Sequence, residues 1–465
     1  MRKFNLRATF LVIMTLLLIS LGVVYATFHY VVNCVEDFKV LLDDEKKFTN
    51  NTFIVFDPNG LKFDDDSSDI IKIRVPIGGT LGNRIPDTPS KSSYLHQIEN
   101  FQIDGWAIKN NLTGFYESIN ENSIIEKETI VVPKLVGLNE EIATIGKLEY
   151  KFLSVQDTEY FECVLNGFSV GYKQTQNKLD GILENIDGFV INKINERAFE
   201  NEKTLTQVVL SDMINELGVR SFSKTGLKSF NFNNIHKIDS EAFLECGELS
   251  SDIYLPKIRV LGQMIFGSTP KLIGKLRFST DVEFNHIPLN AFAETAFTDI
   301  LIPGNVKTIG AQAFFNMNEK REGLFGTILL IEEGVEEIGD LAFLSSGFTC
   351  DLVIPKSMEK IGNYAFSSLN FDETGSGFKN LIFSEPHEAK LTFIGDYAFY
   401  RFGVLDGNTI VFPAGLKRIE IMAFVGFQNC IFDLSLTNYD DFISWGDNWY
   451  SQIVPIIPPT EGEGL

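Results

Sequence analysis

The chain has 465 residues, with 40 basic against 62 acidic side chains and a formal net charge of −22. That balance argues against nucleic acid or an anionic membrane surface as ligand, since both require a positive face. The five cysteines, Cys34, Cys163, Cys246, Cys350 and Cys430, lie far apart and form no C-x-x-C pair. A disulfide framework or zinc knuckle is thereby excluded as the organising device, and burial as small hydrophobes is expected for Cys246, Cys350 and Cys430.

Arg2, Lys3 and Arg7 precede an uncharged, largely apolar run from Ala8 to Ala26 that continues less strictly to Val32. A basic flank before an apolar core is an export signal, with everything after it placed outside the cell. Two readings stay open. Val24-Tyr25-Ala26 offers a small-residue cleavage site, while an apolar stretch of about 25 residues is long enough to span a bilayer as an uncleaved anchor. Residues 1–34 are therefore read as a signal anchor or signal peptide, giving a surface-tethered protein, or a secreted one if cut near Ala26. No second apolar segment is present, so any membrane attachment is expected at the N-terminus. Residues 35–50 are charged and read as a stalk.

A different unit is expected over 51–135. Thr52-Phe53-Ile54-Val55-Phe56 reads as a strand closed by a turn at Asn59-Gly60. After the acidic loop Asp64 to Asp69, a second strand, Ile70 to Val75, leads to Gly78-Gly79 and Pro86. Phe101-Gln102-Ile103-Asp104-Gly105-Trp106 and a strand from Thr129 to Val132 complete the unit. The acidic loop starts like a calcium loop but lacks the glycine at its sixth position and the glutamate at its twelfth, so a solvated loop is the plainer reading. Over 140–181, Tyr150-Lys151-Phe152 and Thr158 to Cys163 suggest a hairpin around Gln156-Asp157, suited to covering the open end of the segment after it.

From residue 182 the sequence repeats. An aliphatic residue, usually Gly, two variable residues, nearly always a small residue and then Phe recur at Phe199, Phe222, Phe243, Phe266, Phe292, Phe314, Phe343, Phe366, Phe399 and Phe424, at steps of 21 to 33 residues. Such a period is that of a solenoid whose every turn leaves an apolar face for its neighbours to bury. Before each Ile-Gly lies a short alternating run, as in Asp252 to Pro256, Asp299 to Pro303, Asp351 to Pro355 and Thr409 to Pro413. Alternation ending at Pro is a short strand stopped where a ladder donor is missing. The small residue before Phe leaves room for the ring, and the ten rings are expected to form an aromatic spine. At 436–465, Phe442, Trp445 and Trp449 at helical spacing read as a C-terminal cap, succeeded by a disordered Pro- and Gly-rich tail.

The repeated I-x-I-P, then V-x-x-I-G-x-x-A-F, resembles the BspA-like leucine-rich repeats of bacterial surface proteins, over 182–435. The resemblance implies a mainly β solenoid of about ten short turns, a preceding capping hairpin, and adhesion to host proteins or to other cells. The unit at 51–135 resembles the Listeria-Bacteroides repeat, a small β-grasp-like module, by its strand ending in N-G, its Gly-to-Pro segment and its Gly105-Trp106. Its F-x-x-x-G-W run is one or two residues longer than that family's pattern.

No catalytic or metal motif stands out. The histidines His29, His96, His236, His286 and His387 form no H-x-x-x-H pair, and G-x-S-x-G, P-loop and G-x-G-x-x-G sequences are missing. No cofactor or metal is expected, and a glycan-active enzyme is the least favoured reading. The strands say more. Taking the outward position turn by turn gives Tyr254, Arg277, Leu301, Leu329, Val353, Ile382 and Val411, of which the last five are apolar. Stacked at about 4.8 Å per turn, these five would make one stripe roughly 20 Å long, an extent typical of binding surfaces. The alternatives are that aliphatic residues simply suit strands, or that an insertion near 371–378 covers them. Extracellular or cell-surface proteins are the expected partners, with self-association as a structural envelope protein the other reading.

Overall fold

The computed structural model describes residues 51–437, apart from 91, 93, 96–97, 99–100, 110–115, 157, 159–160, 318–326, 369–376, 403–408 and 428–429. Beyond 437 it describes only 444–445 and 456–457. The apolar run, the stalk, most of the 371–378 insertion and the tail from 458 lie outside the described residues. Among those described, no helix is long and apolar enough to cross a membrane, and α-helix is absent.

The first unit holds β1 (Asn51–Phe56), β2 (Ile71–Pro76), β3 (Gly79–Thr80), β4 (Gln102–Lys109), β5 (Tyr116–Ser118), β6 (Ile124–Ile125) and β7 (Thr129–Val136). Five of them make a sheet in the order β2-β1-β7-β4-β5, in which only the central β1–β7 pair is parallel. Ile54, Phe56, Val75, Leu81, Trp106, Ile125 and Val131 form its core. Trp106 meets Phe56 edge-on at 5.1 Å and donates its indole N–H to Pro86 O at 3.0 Å. The extra length between Phe101 and Trp106 is taken up where the β4–β7 register shifts between Ile103 and Trp106, with Gly105 at φ 77°. The expected turn at Asn59-Gly60 is present, with φ of 51° and 87°.

That unit is docked on the repeats. Leu61, Leu95, Ile98, Leu135 and Leu138 belong to the same buried cluster as the repeat core. The Asn59-Gly60 turn meets a second turn at Asp187-Gly188 so closely that a Cβ on Gly188 would lie 2.2 Å from Asn59 O. Asp187 is buried and accepts hydrogen bonds from Ser92 Oγ and from the N–H groups of Tyr94 and Leu95, both at 3.3 Å.

β8 (Ile142–Ile145), β9 (Leu148–Ser154) and β10 (Phe161–Phe168) form an antiparallel meander, with Cys163 opposite Phe152. The hairpin read from Tyr150 and Cys163 is therefore there, with one strand more than expected. β10 then pairs in parallel with Lys193–Ile194 through Leu165 and Ile194, so the meander covers the first rung of the repeats.

From there each turn contributes a two-residue rung, x-Ile or x-Leu, to a parallel ladder. One ladder runs from Lys193–Ile194 to Val260–Leu261, and a second from His286–Ile287 through Thr308–Ile309, Glu337–Ile338, Lys360–Ile361, Phe393–Ile394 and Arg418–Ile419. Of the three aromatics read as a C-terminal cap at helical spacing, Phe442 and Trp449 lie outside the described residues. Ser444–Trp445 is extended and pairs in parallel with Arg418–Ile419, one more rung of the same ladder. Likewise Ile456–Ile457 pairs in parallel with Ile431–Asp433. An open edge of unpaired N–H and C=O groups recruits the extended chain that comes next, which at Trp445 outweighs a helical spacing of three aromatics.

The ten phenylalanines are all buried, none more than 2% exposed. Successive rings stack face to face without interruption, at centroid separations from 4.9 Å (Phe314 to Phe343) to 5.7 Å (Phe266 to Phe292). The backbone at each ring is unusual. The residue two before Phe is left-handed in all ten turns: Arg197, Arg220, Glu241, Met264, Asn290, Gln312, Leu341, Tyr364, Tyr397 and Met422 have φ from 52° to 61°. This costs about 1 kcal/mol or more per non-glycine residue. The compensation is visible in the hydrogen bonds: Gln312, Phe314 and Asn316 each donate an N–H to the next turn, to Asp340, Ala342 and Leu344 O at 2.8 to 2.9 Å. The glycine after Ile has a different cause. A Cβ on Gly310 would sit 2.8 Å from Ile287 O, and one on Gly362 2.6 Å from Asp340 Oδ1.

Charge also fits the stacking. Lys193, Glu216 and Lys237 are in-register neighbours of alternating sign, as are Glu337 and Lys360. Each such pair at the surface is worth at most about 1 kcal/mol, but a one-residue slip would set Glu337 opposite Glu359 in place of Lys360.

This packing makes two stability outcomes testable. Phe314→Ala is expected to lower unfolding free energy by about 3 to 5 kcal/mol, read from denaturant melts. Gln312→Gly, which relieves a left-handed residue, should be neutral or stabilising by up to about 1 kcal/mol, whereas Gln312→Val should be destabilising.

Candidate interaction surface

The outward positions are set by the two-residue period of a strand whose other face is fixed in the core. Ile253 and Leu255 are buried and Tyr254 is exposed; Leu276 and Phe278 are buried around a half-buried Arg277; Ile300 and Ile302 are buried around a half-buried Leu301. Val353 and Ile382 are exposed between Leu352 and Ile354 and between Leu381 and Phe383, and Val411 is half-buried. These six expected residues all face outward.

Leu329 does not. It is 5% exposed, while Ile328 and Leu330 on either side are 51% and 45% exposed. The register explains the difference: Leu301 pairs with Leu330, and the buried Ile300 with Leu329. The strand Ile328–Ile331 has four aliphatic residues in a row and no proline after it, so alternation alone leaves its phase undefined. Ile331 matches Ile302, the residue just before Pro303, and counting back from Ile331 would have found Leu330.

The column is also not one continuous ladder. Tyr254, Arg277, Leu301 and Leu330 share a four-stranded sheet, Val353 and Ile382 a separate pair, and Val411 a third sheet. The first junction is held by Leu329 N–H donating to Cys350 Sγ at 3.3 Å and by Thr349 N–H donating to Thr327 Oγ1 at 2.6 Å.

The two halves differ in chemistry. At the N-terminal half, Tyr254 donates its hydroxyl to Asp252 at 3.2 Å, and Arg277 is paired with Asp299 at 2.7 Å while also donating to Asp299 O at 2.9 Å. Their polar groups are engaged within the fold. From Leu301 onward the outward positions are aliphatic, with Ile328 adding a further exposed residue on the face of Leu330.

Elsewhere the acidic loop is knit internally: Asp64 accepts from Ser90 Oγ, and Asp65 from Ser67 N–H at 2.9 Å and its hydroxyl at 2.6 Å. Among the described residues no group of three or more His, Cys, Asp or Glu is placed to hold a metal ion. Cys246 and Cys430 are buried as expected, and so is Cys163, while Cys350 is half-buried. Burial pushes the Cys163 and Cys246 thiols up and the Cys430 thiol to about 11.

The repeat pattern agrees with a known family. A family described as the BspA type leucine rich repeat region matches residues 185–284 and 285–431, in six copies, together more than half of the chain. The chain belongs to this family. Solved structures similar to it include three bacterial proteins. A leucine rich cell surface protein from Faecalibacterium prausnitzii A2-165 shares 17% identity, over 70% of this chain and 96% of that one, at a TM-score of 0.33. The pneumococcal vaccine antigen PcpA shares 17% identity, over 64% of this chain and 79% of that one, also at 0.33. A leucine-rich repeat protein from Bacteroides ovatus ATCC 8483 shares 14% identity, over 68% of this chain and 99% of that one, at 0.30. No curated protein matches the chain.

A thiol whose pKa is raised holds less thiolate at neutral pH, and the thiolate is the reactive form. Iodoacetamide at neutral pH is therefore expected to leave Cys163, Cys246 and Cys430 unmodified in the folded protein and to modify them after denaturation, as peptide mass spectrometry would show.

Proposed function

We propose that this BspA-type repeat protein is an exported surface protein that binds other proteins, on host or neighbouring cells, through the outward face of its repeat strands. The observation that carries the reading is the aliphatic column Leu301, Leu330, Val353, Ile382 and Val411, three of whose members are 37 to 45% exposed. Aliphatic side chains standing free on successive turns mark surfaces that a partner covers. Recognition on such a face sums many modest contacts without a deep pocket, and no chemistry on the ligand is needed. In this reading the repeats form a solenoid over 182–435, capped by 140–181. The unit at 51–135 is a β-grasp-like Listeria-Bacteroides module, a reading supported by its mixed sheet with a central parallel pair. Residues 1–34 carry the chain out of the cell and either anchor it or are removed.

The test uses the chain from residue 35 onward with Leu330→Glu and Val353→Glu together, beside the parent. Light scattering across a concentration range decides first whether the parent self-associates. Beads coated with each protein are then scored for attachment to cultured host cells and to bacterial cells. Attachment reduced at least about tenfold with an unchanged circular dichroism spectrum supports the face. Unchanged attachment, or a parent that only self-associates, sinks it.

A further inference from the structure

The N-terminal unit is threaded in a way that matters under tension. The chain runs backward from β1 into residues 1–50 and forward from β7 into β8 and the repeats. β1 and β7 are neighbours and parallel: Ile54 lies opposite Thr129, Val55 opposite Ile130 and Phe56 opposite Val131, and Asp57 N–H donates to Val131 O at 3.0 Å.

In a parallel pair the start of one strand and the end of the other lie at opposite ends of the ladder. Tension entering at Asn51 and leaving at Val136 is therefore directed along the strands. Their hydrogen bonds run between the strands, so sliding must strain all of them together.

Each strand is also held from its far side. β2 grips β1 from Asn51 opposite Pro76 to Phe56 opposite Ile71, and β4 grips β7 from Gln102 opposite Val136 to Ala107 opposite Val132. Ile54, Phe56 and Val131 are buried beneath the pair, each at most 1% exposed. Sliding β1 would draw two of these side chains out of the core, so apolar burial opposes the motion as well. The contrast lies within the same sheet. Asn51 and Pro76 face each other at one end of an antiparallel pair, where pulling opens one residue pair at a time.

We propose that this unit is a mechanical clamp, in which the parallel β1–β7 pair carries tension between the N-terminal segment and the repeats in shear. The proposal rests on the surface-tether reading only for the use of the clamp: a protein held in an envelope at one end and by a partner at the other would be loaded along this path.

The experiment is single-molecule pulling on the full chain, kept in detergent, with clickable azide-bearing residues as attachment points for DNA handles. One protein carries them in place of Asn51 and Val136, the other in place of Asn51 and Pro76. Both contain the same sheet, and forced unfolding reads the barrier along the pulled direction. Rupture of the sheet at a force several-fold higher for the 51 and 136 attachment, at equal loading rate, is the expected result. Equal forces, or a lower force for that attachment, would overturn the clamp. The ratio is read whether or not residues 8–32 sit in a bilayer, so a failure of the tether reading and a failure of the clamp are separate outcomes.

Discussion

Everything in the repeats depends on one distance, the separation of successive turns. Parallel strands lie about 4.8 Å apart, and the stacked phenylalanine rings repeat at 4.9 to 5.7 Å. A backbone ladder and a ring stack can share one repeat only because these spacings nearly agree. The small residue before nine of the ten Phe, with Ile265 the exception, the glycine that lets one turn's backbone rest on the next, and the left-handed residue that aims the N–H groups upward all serve that approach. The conformational cost of the left-handed residues recurs in every turn. It persists because each turn is fixed by its neighbours through both hydrogen bonds and ring contacts.

The same dependence decides what could be read from sequence. The core columns were legible because Phe, Ile and Ala recur at closely matching offsets whatever lies between them, and the extra residues of the longer steps, Phe314 to Phe343 and Phe366 to Phe399, fall between columns rather than within them. The phase of the outward column was legible wherever a strand alternates and ends at proline. It was lost at Ile328–Ile331, where four aliphatic residues in a row look alike from either face. The C-terminal rung was missed for a different reason. The helical spacing of Phe442, Trp445 and Trp449 is local information, whereas the pairing of Ser444–Trp445 with Arg418–Ile419 depends on an edge built by a distant segment. The split of the outward column into three sheets was equally hidden, since it reflects how neighbouring strands meet and not what either contains.

Docking of the N-terminal unit was invisible in the sequence. Asn59-Gly60 reads as an ordinary turn, and nothing in it or around Asp187-Gly188 says that the two touch. The contact needs both glycines, because any Cβ at Gly188 would strike the opposing backbone. Asp187 gains its place only when Tyr94 and Leu95 present their N–H groups to it. A carboxylate this buried is tolerable because its donors are supplied from across the contact, so the two units hold each other in register.

That rigidity bears on how a shallow face could bind at all. An open surface offers few deep contacts, and association must overcome the ordering of both partners before any surplus appears as affinity. Here little is left to order: the outward side chains stand on strands whose inner faces are locked by a ring stack, and the first unit is fixed to the same core. At Tyr254 and Arg277 the outward groups are already bonded within the fold, so a partner would have to break those bonds to use them. Between Leu301 and Val411 the side chains are aliphatic, and covering them breaks no polar bond. If the proposed face binds a partner, the favourable part of that contact would lie in its C-terminal half, where desolvation is favourable and the scaffold is already set.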